Sequence, residues 1–397
     1  MCLASAVQRG RCSPRQRLRL QLLRLVARAF PPVHTVWDRM VPPRSIVLIR
    51  PDHVGDVLFT VPALRHLRES WPAARLTLCV GPWSQAVAEG IPYLDEIITC
   101  PFPWFSRKPR RWLFEPYWLL WQEARRIRAF EFDLSIVLRF DHWWGAWLAH
   151  LADIPRRAGY ALPEVTPFLT DAVRYLPGRH EVVQNLALVE TLTGCTVDPD
   201  TQSLSFQPAA ADVAALAARL AENGIREGER IACVHPGTGA PVKLWHNEGW
   251  AAIVDTLVRA YELRVVVTGG PAEVELVRDL VSRVSVPVID LAGQTNLGQL
   301  AALMARCRLV AGVDSGPLHL AVAVGTPTVH LFGPIDPAMF GPWGDPSRHL
   351  VIKSDRPCVP CNRLDYTANE LDAHPCMRDI DVGQVLVAID RLLQSNP

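Results

Sequence analysis

A chain of two α/β domains, each built on a parallel sheet, is the architecture predicted by three observations. Its 397 residues exceed the usual ~100–200 per domain, so two domains are expected. Short continuous apolar runs alternate with longer amphipathic stretches, the pattern of parallel strands covered on both faces. That alternation lapses near residue 206 and then restarts, and neither half repeats the motifs of the other.

The elements follow in order. Ser45–Arg50 (SIVLIR) is expected to be a buried strand and Val57–Ser70 a helix, with Asp56 beginning it. Arg75–Val80, Glu96–Thr99 and Leu134–Leu138 are further strands. Ala209–Gly228 is an Ala-rich helix stopped by Gly224. Strands then fall at Arg230–Val234, Arg264–Thr268, Val288–Leu291, Leu309–Gly312 and Thr328–Leu331, with helices centred near Ile253, Leu276, Leu303 and Leu320. Asp381–Gln394 closes the chain as a helix. The expected divisions are a basic extension over 1–44, domains over 45–205 and 206–380, and the terminal segment 381–397.

Composition narrows the function classes. The chain is 49% hydrophobic and 20% charged, which excludes a disordered tail protein. Its formal charge of +1 argues against a nucleic-acid coat, so no nucleic-acid partner is expected. The balance is uneven: residues 1–44 hold nine Arg and one acid, net +8, which leaves −7 for the remainder. No apolar run approaches the ~20 residues of a membrane span, and Arg19, Arg24 and Arg28 interrupt any signal-peptide core. A cytoplasmic protein is the expectation.

Ligands of open parallel sheets bind beyond the carboxyl ends of strands, which singles out three loops. The first is Arg50-Pro-Asp52-His-Val-Gly55-Asp56. Asp56 serves either as a helix cap or as a general base, with Asp52 beside it to modulate its pKa. The second runs from His235 through Gly237, Thr238 and Gly239 to Lys243 and Trp245. Its glycines free N–H groups to face an anion, and Lys243 adds a point charge. Lys108, Lys243 and Lys353 are the only lysines in the chain, so a lysine at this point is informative. The third is Gly312-Val-Asp314-Ser315-Gly316-Pro-Leu-His319, where a strand meets a helix N-terminus suited to an anion. The alternative for this loop is simply a well-capped helix, and for His319 a packing residue.

Together these loops resemble glycosyltransferase family 9, the lipopolysaccharide heptosyltransferases. The likeness rests on Arg50-x-Asp52-x-x-Gly55-Asp56 with Pro62, on Lys243-x-Trp245, and on Asp314-Ser-Gly-Pro-Leu-His319 followed by Leu331-Phe-Gly-Pro334. It spans most of residues 45–380. It implies a GT-B fold, two Rossmann-like domains facing each other across a cleft, whose C-terminal helix often crosses back to the first domain. It also implies inverting, metal-independent transfer of heptose from ADP-heptose to a lipopolysaccharide core-type acceptor. No cofactor is then needed beyond the nucleotide-sugar co-substrate. By the same likeness Asp56 is the catalytic base and Lys243 holds the diphosphate. Asp314, Ser315, Gly316, His319 and Thr238 line the donor site. Glu273, with Glu275 as rival, meets the ribose, and Asn296 and Leu297 meet the nucleoside. Arg50, Asp52 and Arg139 are assigned to the acceptor. His246 stands where the family commonly has proline, which leaves sugar and acceptor identity open.

Three features lie outside those loops. Seven of the 13 Trp fall between Trp104 and Trp147, interleaved with Arg107, Lys108, Arg110, Arg111, Arg125, Arg126 and Arg128. Such a mixture suits anionic lipid or a saccharide acceptor, whereas a helix Phe114–Ala129 burying its Trp face is the structural alternative. Residues 15–30 place Leu18, Leu22, Leu25, Val26 and Phe30 near one helical face, able to lie on the inner leaflet of the inner membrane; the alternative is a poorly ordered or domain-packed extension. Cys358, Cys361, His374 and Cys376 have zinc-like spacing, but a single Cys-x-x-Cys favours a structural role. The competing functions are a family 9 transferase with another nucleotide sugar or a protein acceptor, a non-catalytic paralogue, and a Rossmann oxidoreductase. The last requires a Gly-x-Gly-x-x-Gly that Arg50–Asp56 lacks.

Overall fold

In the computed structural model, residues 14–29, 41–106 and 112–395 are described. The described residues form two compact units: those within 1–53 and 60–201, and those within 54–59 and 202–397.

The first unit carries β1 (Ser45–Arg50), β2 (Arg75–Val80), β3 (Glu96–Thr99), β4 (Leu134–Val137), β5 (Arg156–Tyr160) and β6 (Asp171–Val173). They form one sheet in the order β3-β2-β1-β4-β5-β6, every pair parallel. The second unit carries β7 (Ile231–His235), β8 (Arg264–Val267), β9 (Ile289–Asp290), β10 (Cys307–Val313), β11 (Thr328–Phe332) and β12 (His349–Lys353). Its order is β12-β11-β10-β7-β8-β9, again all parallel. Numbered within its own unit, each sheet is the doubly wound 3-2-1-4-5-6 arrangement. The central strands are buried at nearly every position, which is why they are legible as unbroken apolar runs.

The structure corrects several expectations. Strands β5, β6 and β12 were not anticipated. Arg156-Arg-Ala-Gly-Tyr160 and Asp171-Ala-Val173 have no apolar run, and Arg157 satisfies its guanidinium on the carbonyls of Phe168 and Ile154; β12, by contrast, carries the apolar run Leu350-Val-Ile352 and is legible as a strand. The helix expected over Val57–Ser70 is two helices, Val54–Leu58 and Val61–Ser70, because Pro62 opens a new first turn. Asp56 therefore lies inside its helix rather than capping it. The C-terminal helix Val382–Ser395 packs within the second unit, where Val385, Ile389 and Leu392 join the core and Tyr261 donates to Asp390 at 3.0 Å.

The grouping of residues 54–59 with the second unit has a steric cause. Helix Val54–Leu58 lies against helix Gly316–Ala323, and two glycines permit the approach. A Cβ on Gly55 would stand 2.9 Å from the His319 ring, and one on Gly316 3.0 Å from Val54 Cβ. Gly316→Val is expected to push these helices apart and to cost about 1–3 kcal/mol, read as a lowered unfolding midpoint.

Candidate active site

In a doubly wound sheet the crevice opens where successive connections leave on opposite faces, here beyond β7 and β10. Their register pairs Gly312 with His235, so the chain leaves both strands at one level. From β7 the loop passes through the short turn Pro241–Lys243, held by Trp245, which is buried edge-on to Trp250 and donates to the Ile380 carbonyl at 3.1 Å. From β10 the chain runs through Asp314 and Ser315 into helix Gly316–Ala323.

The two loops meet at an ion pair. Lys243 Nζ donates to Asp314 Oδ2 at 3.1 Å, and Thr238 Oγ1 donates to the Asp314 carbonyl at 3.3 Å. His319 Nε2 faces the other carboxylate oxygen at 3.8 Å. Burial pushes the Asp314 carboxyl up, but Lys243 and His319 outweigh it and hold the group below the usual carboxylate range. Ser315 precedes the helix yet makes no side-chain cap, and among the described residues its buried hydroxyl has no hydrogen-bond partner; nor does His319 Nδ1. The helix thus presents N-terminal N–H groups beside a lysine and unsatisfied polar atoms, an arrangement suited to a bound anion.

Glu273 ends the turn Pro271–Glu273 after β8 and accepts from the Gly270 N–H at 2.6 Å. Its carboxylate occupies the space where a Gly237 side chain would begin, so Gly237 serves this contact as well as the loop's course. His235 shares a hydrogen bond with Thr268 at 3.0 Å, and burial holds its pKa below the ordinary value. The rival Glu275 points outward and pairs with Arg278. Asn296 caps helix Leu297–Arg306, accepting from Gln299 N at 2.7 Å and donating to Asp212 at 2.8 Å. Leu297 is half-buried behind it. His246, the departure from proline, caps helix Asn247–Arg259 by accepting from Gly249 N at 2.8 Å.

Asp56 stands in the first turn of helix Val54–Leu58, half-buried, in the segment packed on helix Gly316–Ala323. The helix bearing the proposed base thus belongs to the same compact unit as Lys243 and Asp314.

In the first unit the equivalent crevice lies beyond β1 and β4 and brings Arg50, Asp52 and Arg139 together. Arg50, only 1% exposed, pairs with Asp52 at 2.8 Å and Glu181 at 3.1 Å and donates to the Leu138 carbonyl at 3.0 Å. Asp52 also pairs with Arg139, which reaches Asp141 at 2.6 Å. Burial pushes Asp52 up, but Arg139 and Arg50 together hold it below its ordinary pKa. Next to them His142 is pushed down to about 3 by burial and by Arg139. The carboxylate expected to modulate Asp56 is engaged by two arginines, and Arg50 is enclosed; Arg139 keeps part of its surface open.

The description of glycosyltransferase family 9 (heptosyltransferase) matches residues 120–370, well over half of the chain. The chain belongs to glycosyltransferase family 9. Lipopolysaccharide heptosyltransferase 3 of Escherichia coli is 26% identical over 350 residues, covering 86% of this chain and 97% of that protein. The crystal structure of a family 9 glycosyl transferase from Veillonella parvula superposes with a TM-score of 0.75 at 26% identity, over 89% of this chain and 97% of that one. The E. coli ADP-heptose LPS heptosyltransferase II shares the fold, with a TM-score of 0.70 at 22% identity over 88% and 99% of the two chains. The protein is therefore a glycosyltransferase with two Rossmann-like domains, the GT-B class.

Two parts of this family 9 transferase were out of reach of sequence reasoning. Glu181 reaches Arg50 from 131 positions away, and Thr268 reaches His235 from the end of β8. Neither has a motif; only the fold joins them. Near the C-terminus Cys358 and Cys361 are exposed and Cys376 is buried, while Cys361 Sγ lies 3.4 Å from the Tyr366 hydroxyl. Among the described residues no three His, Cys, Asp or Glu are grouped to hold a metal ion, and no helix is long and apolar enough to cross a membrane.

Proposed function

We propose that this transferase moves heptose from ADP-heptose onto a lipopolysaccharide core-type acceptor with inversion at the anomeric carbon, at the cytoplasmic face of the inner membrane. The observation that carries this reading is the Lys243–Asp314 pair at a helix N-terminus, beyond the two central strands of the second sheet. Lys243, the Ser315 hydroxyl and the N–H groups at Gly316 receive the diphosphate; His319 and Asp314 set the orientation of Lys243. Glu273 faces the ribose, and Asn296 with Leu297 the base. Arg139 is the acceptor-side contact, with Arg50 and Asp52 holding it in place.

In the reaction, Asp56 takes the proton of the acceptor hydroxyl as its oxygen bonds to the anomeric carbon from the side opposite the leaving group. The bond from that carbon to the diphosphate breaks, and ADP departs with the electron pair. Lys243 and the helix N–H groups stabilise the charge that develops there, so this reading assigns no step to a divalent ion.

The test is donor binding. ADP-heptose is expected to raise the unfolding midpoint, and UDP- and GDP-sugars are expected not to. Lys243→Met should lower turnover by about 10²–10³-fold, the usual loss for one such stabilising group, and weaken ADP in calorimetry. Stabilisation by a different nucleotide sugar would reassign the donor; unchanged ADP affinity in Lys243→Met would remove the diphosphate role.

A further inference from the structure

We propose that His330 is a positioning residue of the donor site: with Thr328 and His349 it fixes the ring of His319, and thereby the carboxylate that orients Lys243. No step of the transfer uses His330, yet it is 0% exposed, and an imidazole withdrawn from water costs free energy unless its nitrogens are matched. Strand β11 places it by alternation. Val329 and Leu331 enter the apolar core of the second unit beside Ile389 of the C-terminal helix, while Thr328, His330 and Phe332 point to the other face. That face meets helix Gly316–Ala323, and the His330 ring lies 5.7 Å from the His319 ring.

Behind His330 the polar groups are continuous. Its Nε2 lies 2.8 Å from Thr328 Oγ1, and the same hydroxyl lies 2.9 Å from Nδ1 of His349, the residue opposite Thr328 on β12. Burial holds His330 well below the ordinary imidazole pKa, and burial with Arg348 pushes His349 down to about 4. Both rings are therefore neutral near pH 7, with one N–H each. The threonine has a single hydrogen to give, so the order of donors along the chain is limited to a few choices.

Asp314 decides the order. A carboxylate only accepts, so His319 turns an N–H towards it from Nε2, which faces Asp314 Oδ1 at 3.8 Å. His319 Nδ1 is then bare and needs a donor. The Nδ1 atoms of His319 and His330 are both buried without a hydrogen-bond partner among the described residues. One hydrogen on His330 Nδ1, given directly or through one water, satisfies both. His330 Nε2 then accepts from Thr328, and Thr328 accepts from His349, so every donor points towards Asp314. Packing alone cannot do this. Phe59 meets the His319 ring edge-on at 4.7 Å and fixes where it lies, but the two tautomers of an imidazole have one shape. Hydrogen bonding at one nitrogen sets which nitrogen carries the hydrogen. In the other tautomer a bare nitrogen would face the Asp314 carboxylate and displace it from Lys243.

This inference rests on the reading that Lys243 receives the diphosphate, but its first measurement needs no nucleotide. In the full chain with isotope-labelled histidine at about pH 8, where an imidazole is ordinarily neutral, nuclear magnetic resonance should show His319 as the Nε2–H tautomer. Its signal is assigned by its loss in His319→Gln. Thr328→Val removes one hydroxyl and leaves His319 and Lys243 in place. It should mix the two tautomers and lower turnover about fivefold with acceptor KM unchanged. His330→Leu should lower turnover about tenfold. Thr328→Ser keeps the hydroxyl and should retain both the tautomer and the turnover of the parent. An Nδ1–H tautomer of His319 in the parent overturns the proposal, as does parental turnover in Thr328→Val or a loss that Thr328→Ser shares. Unchanged ADP affinity in Lys243→Met, by contrast, tells against the donor reading and not against the histidine chain.

Discussion

Asp56→Asn is expected to lose about 10³–10⁴-fold in turnover while ADP-heptose still binds, because the amide keeps the shape and cannot accept the acceptor's proton. The loss should be chemical rather than structural. Asp56 lies in the first turn of helix Val54–Leu58, where an acid stabilises the dipole by only about 0.3–1 kcal/mol. The helix itself is held by its packing on Gly316–Ala323, which the substitution leaves alone. Initial rates with donor and acceptor saturating, and calorimetry with donor alone, separate the two effects. Turnover within tenfold of the parent would remove Asp56 from the role of base.

Arg50→Met is expected to cost the first unit about 3–5 kcal/mol, the usual result of removing one partner from a buried charge cluster. The methionine fills much of the volume but leaves Asp52 and Glu181 buried with fewer counter-charges, and leaves the Leu138 carbonyl without its donor. A midpoint drop of roughly 10 °C is the corresponding thermal signature. Arg50→Lys should recover only part of it, since one ammonium cannot reach three separated acceptors. The same cluster sets an acid limit. Because Asp52 is held below its ordinary pKa in the folded state, its contribution is present above the unfolded value of 3.8 and is lost as pH falls through the depressed one. Denaturant midpoints measured against pH for the parent and Arg50→Met test both statements; equal stability of the two proteins would refute them.

Much of the candidate site was legible because its residues sit in loops that leave strand ends. Asp314 directly follows β10 and Lys243 lies in the loop after β7, where the rarity of lysine in this chain makes it informative. Asp56 was visible for the same reason, although its helix begins two residues earlier than expected. Legibility failed where the fold uses polar residues for structure. Strand β5 pairs through backbone while Arg156 and Arg157 are held by local acids and carbonyls, so no apolar pattern announces it. The tryptophans of helix Glu115–Arg128 were open to two readings, facing a polyanion or buried, because aromatic content shows that a residue can bury area, not which side of the helix meets the core; the structure turns Trp118 and Trp121 outward. Arg107, Lys108, Arg110 and Arg111 lie outside the described residues.

The amino-acid sequence by itself determined the two-sheet α/β architecture, the three loops and the family, because apolar periodicity and glycine placement are local properties of the chain. Only the tertiary structure decided that Arg50 is enclosed by Glu181, that helix Val54–Leu58 rests on helix Gly316–Ala323, and that the Trp118 side of its helix faces outward. Those outcomes depend on contacts between residues more than a hundred positions apart, or on which of two faces finds a partner. Packing selects among them by excluding water and overlapping atoms, and neither condition is written in local spacing.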